Sequence, residues 1–178
     1  DRFVARFGTD ALLLAETMAV NSMATLLLKV AIGRPRPLVY TDPATLDDDE
    51  AAQSLRSAQR SSSAYESFPS GHTSLAFAAA VGSSTLLTMK WRRGTRAQRI
   101  CLGFVWGLSL ATAGTTAALR VVGGKHFPTD VIAGAVLGSG VGVVVPLLHS
   151  RRRLRPRSLS LAPSLGGHVR GVSLSARF

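Results

Sequence analysis

The sequence predicts an all-α integral membrane protein, a helix bundle with four transmembrane helices. Apolar residues make up 46% of the 178 residues and charged residues only 17%. The apolar residues are collected in four segments, at about residues 11–28, 73–89, 100–119 and 131–148. Each segment has close to the ~20 residues that an α-helix needs to cross ~30 Å of hydrocarbon. Four buried helices of a soluble bundle would instead show a polar outer face, and the third and fourth segments carry no charge between Cys101 and Leu119 or between Val131 and Leu148.

The composition excludes several other classes of protein. Cys101 is the only cysteine, so a scaffold held by disulfides is excluded. The apolar content is too high for a chain that is disordered over most of its length. A formal net charge of +11 would suit a nucleic-acid partner. Many of the basic residues, however, flank the apolar segments, where membrane topology explains them. We therefore predict the bilayer, and no nucleic acid, as a partner; the oligomeric state is not predicted.

Two basic clusters without acidic residues predict the orientation of the chain. They are Lys90, Arg92, Arg93, Arg96 and Arg99 after the second segment, and Arg151, Arg152, Arg153, Arg155 and Arg157 after the fourth. The positive-inside rule assigns both clusters to the cytoplasm. The connections 29–72 and 120–130 then face outward, and the first should contain a short helix around Glu50–Gln59. Residues 1–150 form the predicted membrane domain, and the basic, Ser/Gly-rich tail 151–178 is expected to be cytoplasmic and poorly ordered.

The fourth segment carries a stripe of small residues. Gly134, Gly138 and Gly142 recur every four residues and therefore lie on one side of a helix. Such a stripe lets a neighbouring backbone approach closely inside a membrane. We predict that these glycines serve helix packing.

Three groups of residues suited to phosphate chemistry lie at the outward ends of the segments. They are Lys29, Arg34 and Arg36; then Ser70, Gly71 and His72; then Arg120, His126 and Asp130. Taken singly, each group has a structural explanation: membrane-boundary anchors, an interfacial histidine and a charge at a helix N-terminus. Together they supply two histidines, a carboxylate, several cations and a helix N-terminus that favours anions. That combination fits phosphoryl transfer through a phosphohistidine.

The spacing between His126 and Asp130 favours direct cooperation. Four residues separate them, which places both on roughly one side if the helix begins near Pro128. Asp130 is then expected to accept a hydrogen bond from one imidazole nitrogen and leave the other as a nucleophile.

These residues resemble the three-part signature of the type-2 phosphatidic acid phosphatase superfamily, which also includes vanadium haloperoxidases and glucose-6-phosphatase. The matching parts, which fall within about residues 11–148, are Lys29-(six residues)-Arg36-Pro37, Pro69-Ser70-Gly71-His72 and Arg120-(five residues)-His126-(three residues)-Asp130. The resemblance implies His126 as nucleophile, Asp130 as its orienting group, and His72 as general acid and then general base. It implies that the phosphate ligands are Lys29, Arg36, Ser70, Gly71 and Arg120, with no metal or other cofactor.

Two neighbouring features are interpreted structurally. Arg34, which lies between the signature positions, is interpreted as an anchor or a lipid headgroup contact. The acidic run from Asp47 to Glu50 is interpreted as a solvated loop face rather than a divalent cation site.

The sequence departs from the family pattern in two ways. Leu119 stands where the third motif has a serine; we expect a small effect because Arg120 is the charged ligand, even if one hydrogen bond in the site is lost. The membrane branch has six spans, and the four segments here look like its last four, so we expect two N-terminal spans to be absent.

The implied function is a metal-independent lipid phosphatase of a bacterial inner membrane with its site facing the periplasm. Its candidate substrates are undecaprenyl diphosphate, phosphatidic acid, phosphatidylglycerol phosphate and lipid A phosphates. The alternatives are a vanadate-dependent haloperoxidase and a non-catalytic lipid-binding relative.

Overall fold

The structure, a computed structural model, describes residues 2–153, 159–166 and 169–176. It divides into two compact units, Asp1–Pro146 and Leu147–Phe178. The helices are α1 (Arg2–Ile32), α2 (Asp49–Gln59), α3 (Gly71–Lys90), α4 (Arg96–Val122) and α5 (Pro128–Arg153), and α5 continues from the first unit into the second. Short 3₁₀ turns lie at Pro37–Tyr40, Pro43–Thr45 and Ser62–Tyr65. The predicted all-α bundle is confirmed.

Within the part of the chain that the structure describes, three stretches are long and apolar enough to cross a membrane: Phe7–Thr45, Arg96–Val122 and Pro128–His149. The helix α3 has 20 residues, several of them serine or threonine, and is not among these stretches. A count of four spans is therefore consistent with the structure without being confirmed. Large apolar side chains cover the outer surface, such as Phe104 at 75% and Leu108 at 73% exposure. This surface suits contact with lipid, and the protein is an integral membrane protein.

The helix α3 packs antiparallel to both α1 and α4. Against α1, Lys90 pairs with Asp10 at 3.5 Å. Against α4, the Trp106 indole nitrogen donates to Thr88 Oγ1 at 3.0 Å, and the hydroxyls of Ser84 and Ser109 share a hydrogen bond. Side-chain hydrogen bonds between helices are favoured in a membrane because hydrocarbon offers polar groups no partner.

A further polar cluster joins α1 to α3 inside the bundle. Ser74 Oγ donates to Asn21 Oδ1 at 2.7 Å, and Thr25 Oγ1 donates to Ser74 Oγ at 3.2 Å. All three residues are buried. The hydroxyl-rich face of α3 therefore points into protein rather than lipid.

The helix α5 packs parallel to α3 through the predicted glycine stripe. A Cβ atom at Gly134 would lie 2.6 Å from the carbonyl oxygen of Ser70, and one at Gly142 would lie 2.9 Å from the Gly82 nitrogen. A Cβ atom at Gly138 would collide with the backbone of Ser74. Only glycine permits this backbone contact, so the predicted packing role is confirmed.

The segment 33–70 connects α1 to α3 and is closed at its base by two backbone hydrogen bonds. Arg36 N donates to the Ala64 oxygen at 2.7 Å, and Ser67 N donates to the Arg34 oxygen at 2.9 Å. Within the segment, α2 confirms the short helix predicted around residues 50–59. Asp48 caps its N-terminus by accepting from Glu50 N at 2.9 Å, which gives one member of the acidic run a structural role.

The second unit contains a two-stranded antiparallel hairpin. Its strands β1 (Leu159–Gly166) and β2 (Val169–Ala176) pair from Leu159 opposite Ala176 to Gly166 opposite Val169. Residues 154–158 of the tail lie outside the described residues. The expectation of a cytoplasmic, poorly ordered tail stays a prediction.

Candidate active site

The packing directions bring the three sequence groups to one end of the bundle. The end of α1, the start of α3, the end of α4 and the start of α5 meet there. A Cβ atom at Gly71 would lie 3.7 Å from Lys29 Cε and 3.8 Å from Lys29 Nζ. The lysine therefore lies beside the first turn of α3, where unpaired backbone N–H groups and the helix dipole already favour an anion.

His72 lies in this first turn and is exposed. The cationic groups of Arg120, Lys29 and Arg36 are near enough to interact with its ring electrostatically. The structure thus gathers one histidine, three cations and a helix N-terminus around a single position. This is the surrounding expected of a bound phosphate group, whose charge is spread over several oxygens.

His126 lies in the turn between α4 and α5 and is only 4% exposed. Its Nδ1 atom lies 2.8 Å from the backbone oxygen of Ser67. A carbonyl oxygen can only accept, so Nδ1 carries the proton. In the neutral ring, Nε2 then holds the free lone pair that a nucleophile needs.

Burial and charge keep the His126 ring neutral. Burial is the largest cause and the positive charge of Arg36 the next, and together they lower the pKa of His126 from 6.5 to about 4. The hydrogen bond to Ser67 and the charge of Asp130 oppose this shift but do not cancel it. At neutral pH the ring is therefore uncharged, with Nδ1 protonated and the lone pair of Nε2 able to attack.

Asp130 is fully buried and acts on His126 through Ser67. Its Oδ2 atom accepts from Ser67 Oγ at 2.5 Å and from Phe127 N at 3.0 Å. The distance from Oδ2 to His126 Nδ1 is 3.8 Å, too long for a hydrogen bond. We expected Asp130 to accept a hydrogen bond from the imidazole, but the imidazole Nδ1 donates to the Ser67 backbone oxygen instead. Ser67 was missed in the sequence, although it lies two residues before Pro69, where the second signature motif begins.

Arg34 contacts the first residues of α5 and the turn before it. Its Nη1 atom donates to Asp130 Oδ1 at 2.6 Å and to Thr129 Oγ1 at 2.7 Å. Its Cζ atom lies 4.6 Å from the centre of the Phe127 ring, a cation–π contact. These contacts give Arg34 a structural role beside His126, and its interpretation as an anchor or a lipid headgroup contact stays a prediction.

The remaining signature residues differ in how far they reach the site. Arg36 is held by a hydrogen bond from Nε to the Ser63 oxygen at 2.8 Å. Arg120 is half-buried at the end of α4. Ser70 is fully buried, its hydroxyl pairs with Thr73, and its N–H donates to the Asp130 backbone oxygen at 2.9 Å. Ser70 therefore joins α3 to α5, and its predicted contact with phosphate stays a prediction.

The fold and the site define a class: integral membrane helix bundles in which two histidines lie near the same cationic side chains, Lys29 and Arg36. The chain belongs to the PAP2 superfamily, whose family model matches residues 10–154.

Curated relatives agree with this family. The chain is 30% identical over 135 residues to a lipid A 1-phosphatase of Rhizobium etli, covering 76% of this chain and 48% of the relative. It is also 30% identical over 135 residues to a lipid A 1-phosphatase of Rhizobium johnstonii, covering 76% of this chain and 46% of the relative. The chain thus spans about half the length of the curated relatives it matches. No solved structure gives a significant match.

Proposed function

We propose that this protein is a lipid phosphatase that removes phosphate through a phosphohistidine on His126. The observation that carries the proposal is the pairing of a buried, neutral His126 with Nδ1 bound to a carbonyl oxygen and a cation-rich helix N-terminus beside His72. The first feature supplies a nucleophile and the second an anion cradle. Membership of the PAP2 superfamily supports the same reaction.

In the proposed mechanism, the Nε2 lone pair of His126 attacks phosphorus, and a P–N bond forms as the P–O bond to the lipid breaks. His72 donates its proton to the leaving oxygen. His72 then takes a proton from water, the hydroxide attacks phosphorus, and cleavage of the P–N bond releases phosphate and neutral His126. Lys29, Arg36 and Arg120 stabilise the charge on the phosphoryl oxygens, so the mechanism requires no metal.

The proposed substrate is a phosphomonoester or diphosphate of a lipid, and lipid A phosphate is the first to test. The names of the two Rhizobium relatives favour it. Undecaprenyl diphosphate, phosphatidic acid and phosphatidylglycerol phosphate are the comparison substrates. We also propose that the site faces the periplasm of a bacterial inner membrane, and the positive-inside rule applied to the basic residues between α3 and α4 supports this orientation.

The test is phosphate release from these four lipids in detergent with EDTA present. We expect release by the unaltered chain, none by His126→Ala, and normal release by the control His149→Ala in α5. Brief incubation with labelled substrate should trap label on His126 in a bond that is labile in acid and stable in alkali. Release that needs a metal, or that survives His126→Ala, would contradict the proposal. Vanadate-supported bromide oxidation without phosphate release would favour the haloperoxidase.

A further inference from the structure

Arg34 touches both elements that hold His126. Its backbone oxygen accepts from Ser67 N at 2.9 Å, and the Ser67 oxygen in turn binds His126 Nδ1 at 2.8 Å. Its side chain contacts three of the next four residues after His126: the ring of Phe127, the hydroxyl of Thr129 and the carboxylate of Asp130. One residue thus fixes the imidazole from the Ser67 side and from the α5 side.

The positive charge of Arg34 balances the negative charge of the buried Asp130 carboxylate. The Asp130 side chain is 0% exposed, whereas the Arg34 side chain is 36% exposed. A buried carboxylate without a cationic partner is strongly disfavoured. The ion pair therefore permits Asp130 to remain beneath the turn, where it receives the hydrogen bonds of Ser67 Oγ and Phe127 N.

We propose that Arg34 is a positioning residue for His126, holding the turn 126–130 and Ser67 so that Nε2 faces the substrate phosphorus. The catalytic part of this inference rests on the proposed function, whereas the positioning itself does not. Arg34 acts through Asp130, Thr129 and Ser67, not by contact with the phosphate. A positioning residue and a phosphate ligand affect different kinetic constants, which makes the two roles separable.

The first experiment measures lipid phosphate hydrolysis by Arg34→Met and Arg34→Lys. For Arg34→Met we expect kcat to fall about 10- to 100-fold, because small displacements of a reacting group have effects of that size. KM should stay within about 2-fold, and so should the Ki of inorganic phosphate as a competitive inhibitor. Arg34→Lys should recover most of the lost kcat, since one nitrogen atom of Arg34 makes both polar bonds to the turn.

The matched control is Arg56→Met, which removes an exposed arginine from α2 in the same connecting segment. It should leave all three constants unchanged. If Arg34→Met raises KM and the phosphate Ki while kcat is kept, Arg34 is a ligand of the phosphate or headgroup and the proposal fails. It fails equally if Arg34→Met resembles the control.

The second experiment needs no turnover and observes the His126 ring directly. The chain has four histidines, so ¹⁵N NMR of the full chain in detergent gives few imidazole signals, and His126→Ala identifies the relevant one. In the unaltered chain we expect a single tautomer protonated at Nδ1, and in Arg34→Met a mixture of tautomers. An unchanged signal would overturn the proposal. Absence of phosphate release from the unaltered chain would contradict the proposed function and leave this positioning test valid.

Discussion

Gly138→Ala should separate α3 from α5 and thereby disturb the site. A Cβ atom at Gly138 would collide with the Ser74 carbonyl oxygen and lie 2.9 Å from both the Ser74 carbonyl carbon and the Ala78 nitrogen. Ordinary contacts begin at 3.4 Å, so the two backbones must part by at least 0.5 Å, which is 3.4 minus 2.9. Overpacking of this kind costs about 1–3 kcal/mol, which corresponds to a Tm lower by about 2–12 °C for a chain of this size.

The same displacement should reduce activity, because α3 carries His72 while α5 follows directly from His126. We expect kcat to fall on the order of 10-fold. The assay is thermal unfolding in detergent combined with phosphate release. The matched control is Gly140→Ala in the same helix, where an added Cβ meets nothing within 4 Å. Equal Tm and kcat values for the two variants would refute the close backbone contact.

Four further predictions concern the candidate site. Activity should be lost on acidification near the His126 pKa of about 4. Arg36→Met should move this loss to higher pH, because Arg36 is the strongest charged cause of the lowered pKa; an unmoved pH profile would contradict that cause. Since the folded pKa lies below the value of 6.5, the unfolded chain binds more protons between pH 4 and 6.5. Stability should therefore fall as pH falls through that window, less so in His126→Ala, as measured by Tm against pH. Ser67→Ala should lower the free energy of unfolding by about 1.5–3 kcal/mol in urea titrations, because a charged buried acceptor loses its donor; no change would argue against the bond to Asp130. Leu119→Ser should change kcat/KM less than about 2-fold, because the Leu119 side chain is 64% exposed; a large gain would mean that this position faces the site.

The fold was largely predictable because each membrane helix corresponds to one continuous apolar segment of the sequence. Apolar segments located α1, α3, α4 and α5, and the four-residue spacing of the glycines identified the face of α5 that packs. The helix ends were less accurate. The segment predicted at residues 100–119 became Arg96–Val122. Hydropathy marks only the apolar centre, whereas Thr95 starts the helix through a capping box with Gln98.

The sequence predicted which residues form the candidate site better than it predicted the hydrogen bonds between them. The spacing of the three signature motifs identified His72, His126 and Asp130 as candidate site residues. The partners of Asp130 were not visible, since Arg34 lies 96 positions away from it in the chain. No local period links two such residues. The group that accepts the hydrogen bond of His126 is a backbone oxygen. Every residue has such an oxygen, so the residue type does not reveal this partner.

The two hydrogen bonds at the base of the segment 33–70 have an evolutionary consequence. They join Arg36 to Ala64 and Arg34 to Ser67, so residues 37–63 form a loop whose ends are already fixed. Lengthening such a loop adds little closure entropy. Insertions and exchanges should be tolerated best within residues 41–62, because Tyr40 contacts the Phe127 ring and the Ser63 oxygen holds Arg36. Residues 41–62 are therefore the stretch to exchange between relatives when substrate choice is tested.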